Sequence, residues 1–131
     1  MTSGGWIMRI LVAGVCGLAA LLLLSAGDDS QAGEKKDPKH TISEVMLKAH
    51  KSGLWKKVAG GKADADEKKV LLEYYTSLSQ SKPPQGDEAA WKKQTARMLM
   101  LAKSIVDGDE KAGKVLLKTV NCGACHKTFR G

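Results

Sequence analysis

The chain has 131 residues, of which 43% are apolar and only 5% are aromatic, and it carries a formal net charge of +7. This length and composition allow one domain with a hydrophobic core, and they exclude a multidomain enzyme, a collagen-like chain and a polytopic membrane protein. The low aromatic content disfavours a sheet protein, and three cysteines are too few for a disulfide-rich miniprotein. The positive charges are nearly all lysine, whereas direct base readout relies on arginine, so nucleic acid is not a predicted partner.

The N-terminus has the parts of a secretory signal. Arg9 precedes an uncharged, apolar run over residues 10–27, and a polar stretch with small residues follows. We predict a cleavable signal peptide over residues 1–32, with cleavage after Ala32 or, as the second candidate, after Gly27. The apolar run is also just long enough to span a bilayer, so an uncleaved anchor is the alternative. The remaining domain, residues 33–131, would then work in the periplasm or another exported compartment.

The first two predicted helices both begin at capping signals. Thr41 and Glu44 form a capping box, and the apolar stripe that follows is Ile42, Val45, Met46, Ala49 and His50. A short turn over residues 54–58 follows, before two glycines stop it. Asp64 is the predicted N-cap of the second helix, and the side chains predicted to face inward are Val70, Leu71, Tyr74, Tyr75 and Leu78.

Two further helices follow a proline-containing break at residues 82–86. Asp87 opens the third helix, whose predicted inner face is Trp91, Thr95, Met98, Leu99, Ala102 and Ile105. Asp109 caps the fourth, with Ala112, Val115, Leu116 and Val120 facing inward. Four amphipathic helices joined by short links predict an all-α protein that folds as an antiparallel four-helix bundle.

The chemistry is concentrated in the run Cys122-Gly123-Ala124-Cys125-His126. Cys-x-x-Cys-His is the attachment motif of c-type haem. On a helix, residues three apart lie about 60° from each other around the axis, so both thiols can reach the two vinyl groups on one edge of a porphyrin. His126 can reach the iron from the same side. The motif therefore predicts one covalently bound haem c per chain, with an iron ligand at His126.

Three other interpretations of this motif are weaker. A zinc site needs a fourth ligand that the motif does not supply. A thioredoxin-like redox pair belongs near the start of a helix in a βαβ unit, whereas this motif closes an all-helical chain. A structural disulfide between Cys122 and Cys125 leaves His126 without a role. The predicted export signal favours haem, because c-type haem is attached after export.

The motif lies at the C-terminal end and continues through Phe129 to Arg130. A Cys-x-x-Cys-His-x-x-Phe/Tyr-Arg ending on a four-helix chain resembles the class II cytochromes c, the cytochrome c-prime family. The resemblance is specific over residues 122–130. It implies that Cys122 and Cys125 are the thioether residues and that His126 is the proximal iron ligand. It also implies that Arg130 lies beside the His126 imidazole and tunes the iron. Phe129 is predicted to pack in the core.

The resemblance further implies that the residue on the other side of the iron comes from the first helix. Low-spin members of the family supply a methionine there, and five-coordinate, gas-binding members supply an apolar side chain. Met46 occupies the matching place and is the favoured sixth ligand; a Met/His pair would raise the reduction potential. His50 is the competing ligand, although a histidine this near a charged segment is more often on the surface. His40 precedes the helix and is a poorer candidate.

The sequence therefore predicts a protein that is not an enzyme but carries single electrons. No nucleophile, acid–base pair or phosphate-binding loop is supported by a motif. The lysine-rich composition suits weak, charge-steered complexes with an acidic redox protein. The alternative is a five-coordinate haem protein that binds nitric oxide or carbon monoxide. Members of the similar family often dimerise through their first helices, so a homodimer is left open.

Overall fold

A computed structural model of the protein describes residues 36–131, which belong to one unit that spans Gly33–Gly131. The predicted signal peptide, residues 1–32, lies outside the described residues. Within the described part the chain is all helical, as predicted. The helices are α1 (Ile42–Val45), α2 (Leu54–Ala59), α3 (Ala65–Gln80), α4 (Glu88–Val106), α5 (Glu110–Thr119) and α6 (Cys122–Phe129). A π-helical turn, Met46–Lys51, continues α1.

The predicted helix starts are confirmed. Each start is fixed by a hydrogen bond between residues that are close in the sequence. The backbone N–H of Glu44 donates to Thr41 Oγ1 (3.2 Å), and the Glu44 carboxylate accepts from the Thr41 N–H (2.9 Å). Asp64 and Glu67 form the same reciprocal box at α3. Asp87 accepts from the backbone of its own helix, as does Asp109 at α5.

The helices are interrupted at two points where the sequence predicted four helices. Gly53 adopts a left-handed conformation, with φ of 82°, and separates the π-helical turn from α2. At the other end, Val120 and Asn121 adopt extended backbone between α5 and α6. The Asn121 side chain then accepts a hydrogen bond from the Ala124 N–H (3.0 Å) and caps α6. The motif helix is thus a separate short helix.

The core lies where α3 and α4 pack together and where α4 meets α5. Its largest fully buried side chains include Tyr75, Leu71, Leu78 and Leu116. Two side chains predicted to face inward are exposed instead: Val70 at 45% and Val115 at 40%. The prediction for these two residues was wrong.

The exposure of Val115 follows from a close approach between α2 and α5. A Cβ atom added at Gly113 would lie 2.3 Å from the carbonyl oxygen of Ala59, so the two backbones touch at this glycine. The buried face of α5 therefore centres on Ala112, Gly113 and Leu116. Val115 lies beside that face and points toward solvent.

The loop between α3 and α4 holds the C-terminal helix in place. Gln85 Nε2 donates to the carbonyl oxygen of Arg130 (2.6 Å). A Cβ atom at Gly86 would lie 2.7 Å from the carbonyl oxygen of Thr128 and 2.9 Å from the ring of Phe129. Phe129 is buried, as predicted, and meets Trp91 edge to face at 5.3 Å. These contacts fix α6 against the start of α4.

Candidate functional site

A cavity of about 580 Å³ lies between the first helical segment, α4 and the C-terminal helix. Its volume is in the range of small-molecule and cofactor sites, roughly 300–1,000 Å³. Many of the side chains that line it are apolar or aromatic; they include Ile42, Met46, Leu47, Leu78, Pro84, Trp91, Met98, Val120 and Phe129. Such a lining holds a flat, largely apolar group by excluding water from it.

All six residues that the sequence singled out line this one cavity. Cys122, Cys125, His126 and Arg130 belong to the C-terminal segment, and Met46 and His50 belong to the π-helical turn. These two segments lie near opposite ends of the described chain. The fold therefore brings the attachment motif and both candidates for the sixth ligand to a common space. His40 does not line the cavity. Its Nε2 forms a hydrogen bond with Glu73 Oε1 (2.8 Å), and its ring packs on Tyr74.

Both cysteines of the motif are free thiols on the cavity wall. Cys122 is exposed and Cys125 is half-buried. Burial raises the pKa of the Cys125 thiol, and the nearby Cys122 raises it further. The buried Phe129 anchors α6, and Cys125 packs partly against the core, whereas Cys122 is exposed. The two thiols are thus available to form bonds with a group in the cavity.

The side chains of His126 and Arg130 are both exposed at the cavity. His126 lies one residue beyond Cys125, and its carbonyl oxygen accepts a hydrogen bond from the Arg130 N–H (3.1 Å). This bond closes the last turn of α6 and keeps Arg130 next to the turn that carries His126. Within residues 36–131, no group of three or more His, Cys, Asp and Glu side chains is arranged to hold a metal ion.

His50 is much more buried than its charged sequence neighbours suggest. Its ring lies near two aromatic side chains, with centroid distances of 5.9 Å to Trp55 and 5.7 Å to Tyr75. Burial lowers its pKa to about 4, and the charge of His126 contributes in the same direction. The imidazole is therefore neutral near pH 7. The expectation that His50 lies on the surface does not hold.

Two buried polar atoms at this place have no hydrogen-bond partner among the described residues. They are Nε2 of His50 and the hydroxyl of Tyr75. Burial raises the pKa of Tyr75, and Cys122 raises it further, so the phenol stays protonated. Buried polar groups are almost always paired, so these two neighbouring side chains are exceptions within residues 36–131.

The residues of the cavity fit a c-type haem. Among the lining side chains, α6 contributes two free thiols and an imidazole in the order that attachment requires, and the π-helical turn contributes a thioether and an imidazole. Sequence reasoning missed the contribution of Trp55 and Tyr75 around His50. Tyr75 was predicted to face inward and Trp55 to lie in a short turn, but only the packing of α2 and α3 shows that both rings lie near His50.

Comparison of the chain with protein-family models, with curated proteins and with solved structures found no match. Among the described residues, no helix combines the length and hydrophobicity needed to cross a bilayer.

Proposed function

We propose that this protein is an exported monohaem c-type cytochrome that carries single electrons between redox partners. The observation that carries the proposal is that Cys122, Cys125 and His126 line the same cavity as Met46 and His50. A chance Cys-x-x-Cys-His run would have no reason to face an apolar cavity with two further soft or imidazole ligands on its wall. The proposal includes two further predictions from the sequence: the resemblance of residues 122–130 to the class II cytochromes c, and the antiparallel four-helix bundle.

In the proposed protein each cavity residue has a distinct task. Haem supplies the one-electron couple of its iron. Cys122 and Cys125 hold it covalently, and His126 gives the iron one imidazole ligand. As the resemblance implies, Arg130 would place a positive charge beside that imidazole and would disfavour its deprotonation. The apolar side chains exclude water, which keeps the surroundings of the iron unchanged when its charge changes.

The lysine-rich surface supports an acidic redox protein as the partner. Complexes of this kind bury small interfaces and are steered by charge, so they form and separate quickly. The proposal assigns no catalytic residue, since electron transfer requires no bond of a substrate to be broken. Homodimerisation stays open.

The optical spectrum in both redox states, with and without carbon monoxide, tests this function. For an electron carrier we expect a c-type spectrum, a low-spin iron in both states and little change on addition of carbon monoxide. A filled sixth position explains all three results, because no site is open to the gas. An iron that is high-spin and binds carbon monoxide rapidly would instead establish the gas-binding alternative. A protein without visible absorption would exclude both.

Export belongs to the same proposal, because haem of this type is attached outside the cytoplasm. We expect the mature chain to begin near Gly33. It should therefore lack Arg9 and the apolar run at residues 10–27. N-terminal sequencing or the intact mass of the purified holoprotein measures this. An intact N-terminus in the membrane fraction would establish the uncleaved anchor.

A further inference from the structure

We propose that Lys51 binds a carboxylate of the cofactor at the rim of the cavity and so anchors one propionate of the haem. This inference rests on the proposed function, because it assigns a role toward the haem of that cavity. Neither the attachment motif nor the family resemblance assigns a role to Lys51. It follows from the charge of the cavity lining and from the backbone turn that carries this side chain.

The fixed charges on the cavity lining are all of one sign. Lys51 and Arg130 line the cavity, and no aspartate or glutamate of residues 36–131 does so. Haem is a flat, largely apolar ring whose edge carries two propionate carboxylates. A carboxylate that leaves water for such a place needs a cation or a hydrogen-bond donor beside it. The lining therefore offers a cation to a propionate and no carboxylate to repel it.

The π-helical turn Met46–Lys51 brings Lys51 to the face of the chain that lines the cavity. In an α-helix, a residue five positions after Met46 would lie about 140° from it around the axis, because each residue turns the chain by about 100°. A π-helix forms its hydrogen bonds between residues five apart, so residues at that spacing stay on one face. Met46 and Lys51 both line the cavity, whereas Lys48 between them does not. An α-helical turn would keep Met46 on this face and would turn Lys51 away from it.

The side chain of Lys51 is at the rim of the cavity and is not engaged elsewhere. It is exposed and yet lines the cavity. A lysine at such a place can lay its apolar stem along the lining and keep its ammonium group near water. Among residues 36–131 Lys51 forms no ion pair, whereas Lys48 pairs with Glu44 at 3.6 Å. The ammonium group of Lys51 is therefore free to bind a carboxylate.

The competing explanation is that Lys51 is an ordinary member of a basic surface and acts only through long-range charge. Lys48 would then be equivalent to it, because both side chains are exposed and belong to the same turn. A contact with a propionate makes them different, since only Lys51 lines the cavity. Replacing either lysine by glutamine removes one positive charge. Lys48→Gln is thus the matched control, and the exposed pair with Glu44 that it loses contributes little.

The experiment compares the parent holoprotein with Lys51→Gln, Lys51→Arg and Lys48→Gln. Infrared spectra of haem with isotope-labelled propionates report the protonation of each carboxylate as the pH is lowered. We expect Lys51→Gln to raise the pKa of one propionate by about 1, because the loss of an adjacent cation favours the neutral acid. Lys51→Arg keeps a cation and Lys48→Gln keeps Lys51, so both should titrate like the parent.

The reduction potential provides a second measurement. Both glutamine variants should lower it, because a lost positive charge favours ferric iron. Only Lys51→Gln should also move the pH range over which the potential changes to higher pH. Loss of haem attachment in Lys51→Gln, with attachment kept in Lys51→Arg and Lys48→Gln, would support the same contact.

The outcome that would overturn the inference is a propionate titration in Lys51→Gln that matches the parent. An equal change in Lys51→Gln and Lys48→Gln would also overturn it, because long-range charge would then be a sufficient explanation. Both results leave the haem proposal intact. A parent protein without attached haem would refute the proposed function itself.

Discussion

Replacing Cys122 and Cys125 together by serine is expected to abolish covalent haem attachment completely while the helical fold is retained. A serine hydroxyl is a far poorer nucleophile than a thiol and does not form the thioether that links haem to the chain. Both cysteines are free, the buried Phe129 anchors α6, and Cys125 packs only partly against the core. The loss of packing should therefore be small. Haem-dependent peroxidase staining after denaturing electrophoresis measures attachment, and far-ultraviolet circular dichroism measures the fold.

The matched control for this experiment is Ala124→Ser. Ala124 is exposed and lies between the two cysteines in the same helical turn, so this variant adds a hydroxyl at the site without removing a sulfur. It should keep full staining. Either single Cys→Ser variant should keep one thioether and stain at reduced yield. Full staining of the double variant would contradict the assignment of these cysteines.

Gly86→Ala is expected to lower the free energy of unfolding by about 2–5 kcal/mol, the sum of a left-handed backbone penalty and overpacking. Gly86 has a φ of 85°. Its added Cβ would lie 2.7 Å from the Thr128 carbonyl oxygen and 2.9 Å from the Phe129 ring. Neither neighbour is the free end of a flexible side chain, so α6 would have to shift. Denaturant titration of the holoprotein measures the change.

Gly108→Ala separates the two contributions to this loss. Gly108 has a φ of 97°, and an added Cβ there meets nothing within 4 Å. It should cost only the backbone penalty, about 1–2 kcal/mol. If α6 is held as described, Gly86→Ala should also lower the yield of attached haem, whereas Gly108→Ala should not. Equal losses of stability in the two variants would show that the contact of Gly86 with α6 is unimportant.

The helix starts could be predicted because capping is local. Thr41 and Asp64 each exchange hydrogen bonds with a residue three positions later, and such a pattern can be identified in any sequence. Burial along a helix depends on its neighbours. The direction that Val115 faces was predicted wrongly, because the approach of Ala59 to Gly113 decides it. Gly113 within the helix allows such an approach, but the sequence does not indicate which element makes it.

The candidate site, like the fold, could be predicted only in part. The spacing of Cys122, Cys125 and His126 indicates its chemistry without any structure, since the geometry of one helical turn is enough. The two candidates on the π-helical turn, Met46 and His50, came only from the family resemblance and a shared helical face. Which of them lacks a partner depends on helices that meet around it, and no local pattern contains that information.

Acid–acetone extraction of the denatured holoprotein tests the central claim most directly. If Cys122 and Cys125 hold a haem, its colour and iron should stay with the polypeptide, and the intact mass should exceed that of the mature chain by one haem. The pyridine adduct of the reduced protein should then have the spectrum of a haem whose two vinyl groups are saturated. Haem recovered in the organic layer, or a chain that carries none, would contradict the account.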